Sequence, residues 1–223
     1  MTVFLPCRAG SERVPFKNTR VFAGIEGGLL RLKLESLKTI AEIDQIVVST
    51  NDPDVIRIVK ELGIDKVSID IRPDHLASSA TSTDDLIKYV PQIIQDEHIL
   101  WTHVTSPFLS GETLRKAVNI YKTNNGHDSV MSVTKIQTFL WTEDGALNYN
   151  RSVEKWPRTQ TIKPIFEINS GFFISSRSNY LKLEDRIGQT PYLFETSGNE
   201  TVDIDWPEDF EMAEFIYNNR YVR

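Results

Sequence analysis

The chain has 223 residues, 40% hydrophobic and 25% charged, and its 25 Lys+Arg against 31 Asp+Glu give a formal charge of −6. That length fits one large α/β domain, or one carrying a small insertion. Net negative charge argues against non-specific nucleic-acid binding and against docking on anionic lipid, both of which need positive potential. Apolar runs fall far short of the roughly 20 residues that span a bilayer. The start, Met1-Thr-Val-Phe-Leu-Pro-Cys-Arg8, lacks the charged lead-in and apolar core of a signal peptide. The single cysteine, Cys7, excludes an intramolecular disulfide and argues against a Cys-rich zinc site. A cytoplasmic protein is the expectation.

Short apolar runs alternate with longer amphipathic stretches, which predicts strand–helix units and a mostly parallel sheet. Val3–Pro6 reads as the first strand, followed by a polar, basic loop over residues 8–18 and a partly helical spacing from Leu29 to Ile40. Gln45–Ser49 is a second strand. Pro53 opens a helix whose Val55, Ile58, Val59 and Leu62 share one face and which Gly63 ends. Lys66–Ile71 is a third strand. Thr83 or Asp84 is the expected cap of a helix carrying Leu86, Ile87, Val90, Ile93 and Ile94. Ile99–Val104, Glu112–Thr123 and Ser129–Val133 read as strand, helix and strand. From 134 to 168 the pattern loosens and Trp, Pro and Tyr become frequent, which predicts an insertion, read as an arm. Ser170–Ile174 returns to strand, and Pro207–Asn218 is a final helix. No repeat or low-complexity linker interrupts the chain, which is read as one unit over 1–223.

Two stretches carry chemistry. The first loop places Arg8, Arg13 and Lys17, with Gly10, Ser11 and Asn18, directly after the first strand. Ligands of a parallel sheet bind at the carboxyl ends of its strands. Cations there can neutralise phosphate, and a glycine lets backbone N–H groups approach it. No Gly-Lys-Ser/Thr closes the loop, so it is not a Walker loop. A merely solvated basic loop has the same composition. Near the other end, Asp203 and Asp205 alternate with Ile204; in a strand, residues i and i+2 share a face, so both carboxylates would point one way. Capping of the last helix by Asp205 is the plainer alternative.

The pattern Arg8-x-Gly10-Ser11-x-Arg13-x-Pro15-x-Lys17-Asn18 resembles the signature of the CMP-sialic acid synthetases (acylneuraminate cytidylyltransferases) and related CMP-sugar enzymes. The resemblance continues in order down most of the chain. It takes in Val48-Ser-Thr-Asn-Asp52, Arg72-Pro-Asp-His-Leu-Ala77 with Ala80-Thr-Ser-Thr83, and Thr105-Ser-Pro107. It resumes at Pro157-Arg-Thr-Gln160 and Asn169-Ser-Gly171 and closes at Asp203-Ile-Asp205-Trp-Pro-Glu-Asp-Phe210.

The resemblance implies a Rossmann-like α/β nucleotidyltransferase that joins CTP to an acidic sugar, and an insertion that serves as a dimerisation arm in a homodimer. It implies that Arg8, Arg13 and Lys17 hold the triphosphate. Gly10, Ser11, Asn18, Arg72, Ala80 and Ser82 would contact the nucleotide, and His103, Arg158, Gln160 and Asn169 the sugar. Aligned carboxylates beside phosphates suit Mg²⁺, for which Asp203 and Asp205 are the expected ligands, with Asp205 also counted as catalytic. Glu12 stands where many sialate-activating members carry Lys, and His103 where some carry Gln. A Kdo-like acid or a phosphonate therefore stays open as acceptor, and so does a pseudoenzyme that only binds nucleotide. The Asp203-x-Asp205 spacing also resembles the metal motif of nucleotide-sugar glycosyltransferases, against which the basic loop argues.

Overall fold

The computed structural model describes residues 1–123 and 125–220. Among these the chain runs β1 Thr2–Pro6, α1 Gly28–Leu37, β2 Gln45–Thr50, α2 Pro53–Leu62, β3 Val67–Ile71, α3 Thr83–Ile93, β4 His98–Thr102 and α4 Gly111–Thr123. It continues β5 Ser129–Ile136, β6 Trp141–Thr142, β7 Gly145–Ala146, β8 Ile165–Ser176, α5 Arg177–Leu183, β9 Pro191–Thr196 and α6 Pro207–Arg220. The main sheet has seven strands in the order β3-β2-β1-β4-β8-β5-β9. Strands β1 to β4 pair in parallel, as do β5 and β9, while β8 lies antiparallel to both β4 and β5.

The central strands β1, β2 and β4 are buried on both faces, as a helix-covered parallel sheet requires, while the edge strands β3 and β9 are only partly buried. Val3 and Leu5 of β1, Ile46 and Val48 of β2 and Leu100 of β4 point into one core with α1, α2, α4 and α6. The alternate residues Phe4, Val47 and Trp101 enter a second core with Ile87 and Val90 of α3 and Tyr180 of α5. This period-two division is why runs such as Ile46-Val-Val48 are apolar throughout. No helix among the described residues is long and apolar enough to cross a membrane.

Several expectations need correction. Ser82, not Thr83 or Asp84, caps α3: its Oγ accepts from Asp85 N at 3.0 Å and donates to Asp85 Oδ2 at 2.8 Å. Segment 203–205 belongs to no strand: Ile204 N donates to Thr105 O, a loop carbonyl, instead of to a ladder. The ends of the expected insertion are strand. Residues 133–136 of β5 pair with 165–168 of β8 as an antiparallel ribbon, whose half-exposed, mixed residues hide the strand pattern. The arm proper is 137–164, and its β6–β7 hairpin is stitched by Asn148, which donates to Thr138 O and Lys163 O and accepts from Leu140 N. Helix α5 and strand β9 are additional elements, short and only partly buried, so neither period stands out in the sequence.

Gly28 shows where backbone dictates sequence. Its φ is +53°, and a Cβ there would lie 2.0 Å from Arg20 O. Gly28→Ala is expected to destabilise the fold by roughly 3 kcal/mol or more, because a left-handed residue and a backbone clash combine. Gly63→Ala, at φ +54° with open space around its Cβ, should cost only about 1 kcal/mol. Urea midpoints of the two variants check this; equal midpoints would refute it.

Candidate active site

A cleft of about 630 Å³ opens at the carboxyl ends of β1, β3 and β4. Chain order reverses there: β2 and β3 extend the sheet on one side of β1, and β4 crosses to the other, which opens a crevice between the diverging connections. The loop after β1 forms one wall with Arg8, Ser11, Glu12, Arg13, Lys17 and Asn18. It is tied down at both ends. Cys7 N donates to Ser49 O and Ala9 N to Asn51 Oδ1, both at 2.9 Å, while Asn18 Nδ2 reaches back to Arg8 O at 3.2 Å. Gly10, at φ +72°, makes the turn that lets Arg8 Nη1 donate to its carbonyl at 3.0 Å. Glu12 also stands on this wall, so the departure noted in the sequence faces the cleft.

Asp203 and Asp205 form the opposite lip of the loop. Lys17 Nζ donates to Ile204 O at 2.9 Å and to Asp205 Oδ1 at 3.3 Å, and Arg13 Nη2 meets the same Oδ1 at 3.0 Å. The basic loop and the acidic pair, 192 residues apart between Arg13 and Asp205, thus meet at one point. Ile204 is fully buried between them, so the alternation read from the sequence survives without a strand. Helix capping falls to Asp209, whose Oδ2 accepts from Asp205 N and Trp206 N, and not to Asp205. Asp203 is mostly buried, and burial pushes its carboxyl pKa up, against a hydrogen bond from Thr105 that lowers it. Its Oδ1 is buried with no hydrogen-bond partner.

That orphaned carboxylate oxygen, beside a second carboxylate and an anion-binding loop, is what a divalent cation would satisfy. No group of three or more His, Cys, Asp or Glu is arranged for a metal among the described residues. Two protein carboxylates completed by phosphate oxygens and water match the habits of Mg²⁺, and the residues present fit it.

At the β3 side, Arg72 is buried and braced. Its Nε donates to Ser49 Oγ at 3.1 Å and its Nη2 to Ser49 O at 2.8 Å; Asp70 accepts from Ser49 Oγ and from Tyr89 OH. Burial lowers its pKa, yet an arginine stays charged. Ser79 and Thr83 line the cleft beside it. Ala80 and Ser82 between them are exposed and do not, and Ser82 is engaged in its cap.

At the β4 and β8 side stand His103, Ser170 and Arg186. Trp101 Nε1 donates to His103 Nε2 at 3.0 Å, so the neutral ring carries its proton on Nδ1. Burial, with Arg186, Lys33 and Lys17 nearby, pushes the His103 pKa down to about 3. A folded pKa below the ordinary 6.5 means that the unfolded chain binds more protons. Stability from this group is then complete above pH 6.5 and drains away as pH falls toward 3, at no more than ~1.4 kcal/mol per pH unit. Urea midpoints at pH 7 and pH 4.5 should therefore converge more closely in His103→Gln than in the native chain; equal convergence would contradict a neutral His103.

Ser170 has φ +57° and sits where the pairing of β5 with β8 slips, a bulge that turns it toward the cleft. Asn169 does not line the cleft: it braces the bulge, donating to Thr134 Oγ1 and Thr196 Oγ1 and accepting from Gly171 N. Arg158 and Gln160 are exposed on the arm and also lie outside the cleft of their own chain. Arg186 and Ser79 are cleft residues that sequence reading missed, and Ser170 entered it only within Asn169-Ser-Gly171. Arg186 follows the unrecognised α5, and its only signal was a cation close behind a Ser-capped segment.

The fold and this cleft define a nucleotidyltransferase, an enzyme of the Rossmann-like α/β kind. The chain belongs to the cytidylyltransferase family, which it matches over residues 2–223. It is 28% identical over 221 residues to the CMP-N,N'-diacetyllegionaminic acid synthase of Legionella pneumophila, covering 94% of this chain and 93% of that one. It is 26% identical over 216 residues to the N-acylneuraminate cytidylyltransferase of Escherichia coli, covering 94% of this chain and half of that longer protein. Among solved structures, a CMP:2-keto-3-deoxy-manno-octonic acid synthetase complexed with CTP superposes with a TM-score of 0.69 at 17% identity, covering 98% of both chains. That likeness speaks to the fold.

Proposed function

We propose that the protein transfers CMP from CTP to the anomeric hydroxyl of an acidic sugar, an N-acylneuraminate or related nonulosonic acid, and releases pyrophosphate. The observation that carries this reading is the meeting of Lys17 and Arg13 with Asp205 across one cleft. Relatives named for legionaminic and acylneuraminic acids support the acceptor class.

The reaction is positioning plus charge neutralisation. The sugar oxygen bonds to the α-phosphorus as the bond to the αβ-bridging oxygen breaks, and that electron pair leaves with pyrophosphate. Arg8, Arg13 and Lys17 bind the triphosphate and stabilise the leaving charge, and Gly10 and Ser11 let backbone approach it. Triphosphate oxygens compete with Asp205 for Arg13 and Lys17, which leaves the Asp203 and Asp205 carboxylates to hold Mg²⁺. Bound there, the ion would neutralise phosphate charge and lower the pKa of the attacking hydroxyl. Asp205 is the candidate acceptor of the hydroxyl proton. Two of the Arg72 nitrogens are engaged by Ser49, so Nη1 is the edge that addresses the cytosine carbonyl. Asn18 and the segment carrying Ala80 and Ser82 flank the nucleotide.

His103 faces the sugar. The arm exposes Trp141, Leu147, Val153 and Trp156, an apolar surface that supports a homodimer in which Arg158 and Gln160 serve the partner's site. Pyrophosphate release should be measured with a panel of acidic sugars, with CTP, UTP or ATP, with and without Mg²⁺. Release confined to CTP, one or more acidic sugars and added Mg²⁺ is expected. CTP binding without release from any acid would overturn the reading, as would equal rates with UTP and ATP.

A further inference from the structure

Most cations around the cleft have an anionic or carbonyl partner; Arg186 does not. Its guanidinium carbon lies over two aromatic rings, 3.8 Å from the centre of Phe173 and 4.7 Å from that of Trp101. Among the described residues it has no hydrogen bond and no ion pair. The nearest carboxylate by sequence, Asp185, accepts from Ile187 N. Arg186 is partly buried and lines the cleft. A guanidinium carries five donors, and leaving them unmatched while partly desolvated is costly. Contact with the ring faces holds the guanidinium in place and spends none of these donors.

Position narrows what they meet. Arg72 follows β3, the phosphate loop follows β1, and Arg186 lies over residues of β4 and β8. At about 4.8 Å per strand, β8 lies roughly 19 Å from β3 and roughly 10 Å from β1 across the sheet, so the base occupies the far end of the cleft and the triphosphate its middle. What remains at this end is the acceptor. We infer that Arg186 binds the carboxylate of the acceptor sugar from within the same chain, the aromatic contact presenting its fork for a bidentate pair. This rests on the proposed function and assigns the acid-recognition contact to α5–β9, not to Arg158 on the arm.

The test uses Arg186→Gln in the full chain, with the best acidic sugar from the screen and with the same sugar blocked as its carboxamide. Expected is a rise of about 30-fold or more in KM for the acid, with KM for CTP and the thermal midpoint little changed. Blocking the carboxylate should cost the native enzyme a similar factor and cost Arg186→Gln almost nothing further. Arg186→Lys, which keeps the charge and loses the fork, should fall between; should Arg186→Gln fail to fold, this variant carries the same comparison. A phosphonate acceptor losing the same factor would place the anion-binding role at Arg186 but not its preference for carboxylate, and would overturn the inference as stated. Independent, multiplying losses would overturn it too, and so would an unchanged KM with Arg158→Gln raising it instead. A native enzyme inert toward every acid would bring down the proposed function itself, whereas native turnover matched by Arg186→Gln sinks this inference alone.

Discussion

Asp203→Asn is expected to lower kcat about a thousandfold while leaving the fold as stable as before, or more so. The two halves have one cause. A mostly buried carboxylate with an unpartnered oxygen and a raised pKa is a cost to the folded protein. Asparagine keeps its shape and removes its charge. Such a liability persists when a site needs the charge for something absent from the fold itself. Under the proposed function that is the cation and developing phosphate charge, and loss of one such electrostatic contact costs about 10²–10³ in turnover. Asp205→Asn should cost turnover comparably and also release Arg13 and Lys17 from their shared partner. Steady-state kinetics with a Mg²⁺ titration, beside urea denaturation of the same samples, decide the matter. A destabilised Asp203→Asn with activity falling only in proportion would make the residue a strut. A double variant with full Mg²⁺-dependent turnover would remove the metal assignment altogether.

Arg72→Met should lose on both counts. The substitution strips Ser49 O and Oγ of their donors and leaves Asp70 without a nearby cation in a buried network that Tyr89 shares. Breaking such a network from one side costs about 3 kcal/mol. Burial and the Asp70 bond push the Tyr89 hydroxyl up to about 12, so it stays a donor to Asp70 through neutral pH and cannot replace the charge. If Nη1 reads cytosine, KM for CTP rises about 100-fold as well, the equivalent of ~2.7 kcal/mol. Ser49→Ala separates the two effects: it loosens the bracing and leaves the guanidinium, so stability should fall while KM for CTP rises far less. Arg72→Met with an unchanged KM for CTP would confine the arginine to holding β2 against β3.

Local pattern carried much of the reading because local physics carries the elements. β1 to β5 and α1 to α4 announce themselves through short apolar runs and period-3.6 spacing, and Pro53 and Gly63 mark the ends of α2 by backbone chemistry alone. The loop cations and the acidic pair were equally legible, since charge clustered beside a strand end has few other uses. The exceptions have physical reasons. The last strands are half-exposed and so lack a clean alternation. Asp203 and Asp205 share the cleft side of a segment pinned to Thr105 through Ile204 N, with no ladder for a pattern to detect. Ser82 outcompetes Thr83 as cap because its hydroxyl reaches Asp85 N, a choice that sequence narrows only to neighbours.

By itself, then, the sequence determined the α/β character of the chain, the basic loop after β1 and the family. Each follows from short local stretches, the family from several of them in order along the chain. Tertiary structure alone decided that Arg13 meets Asp205, that Asn169 braces a bulge instead of facing the cleft, and that Arg186 lies on Trp101 and Phe173. Those are contacts between segments far apart in the chain, chosen by the strand order that brings β4 beside β8, and no local propensity encodes that order.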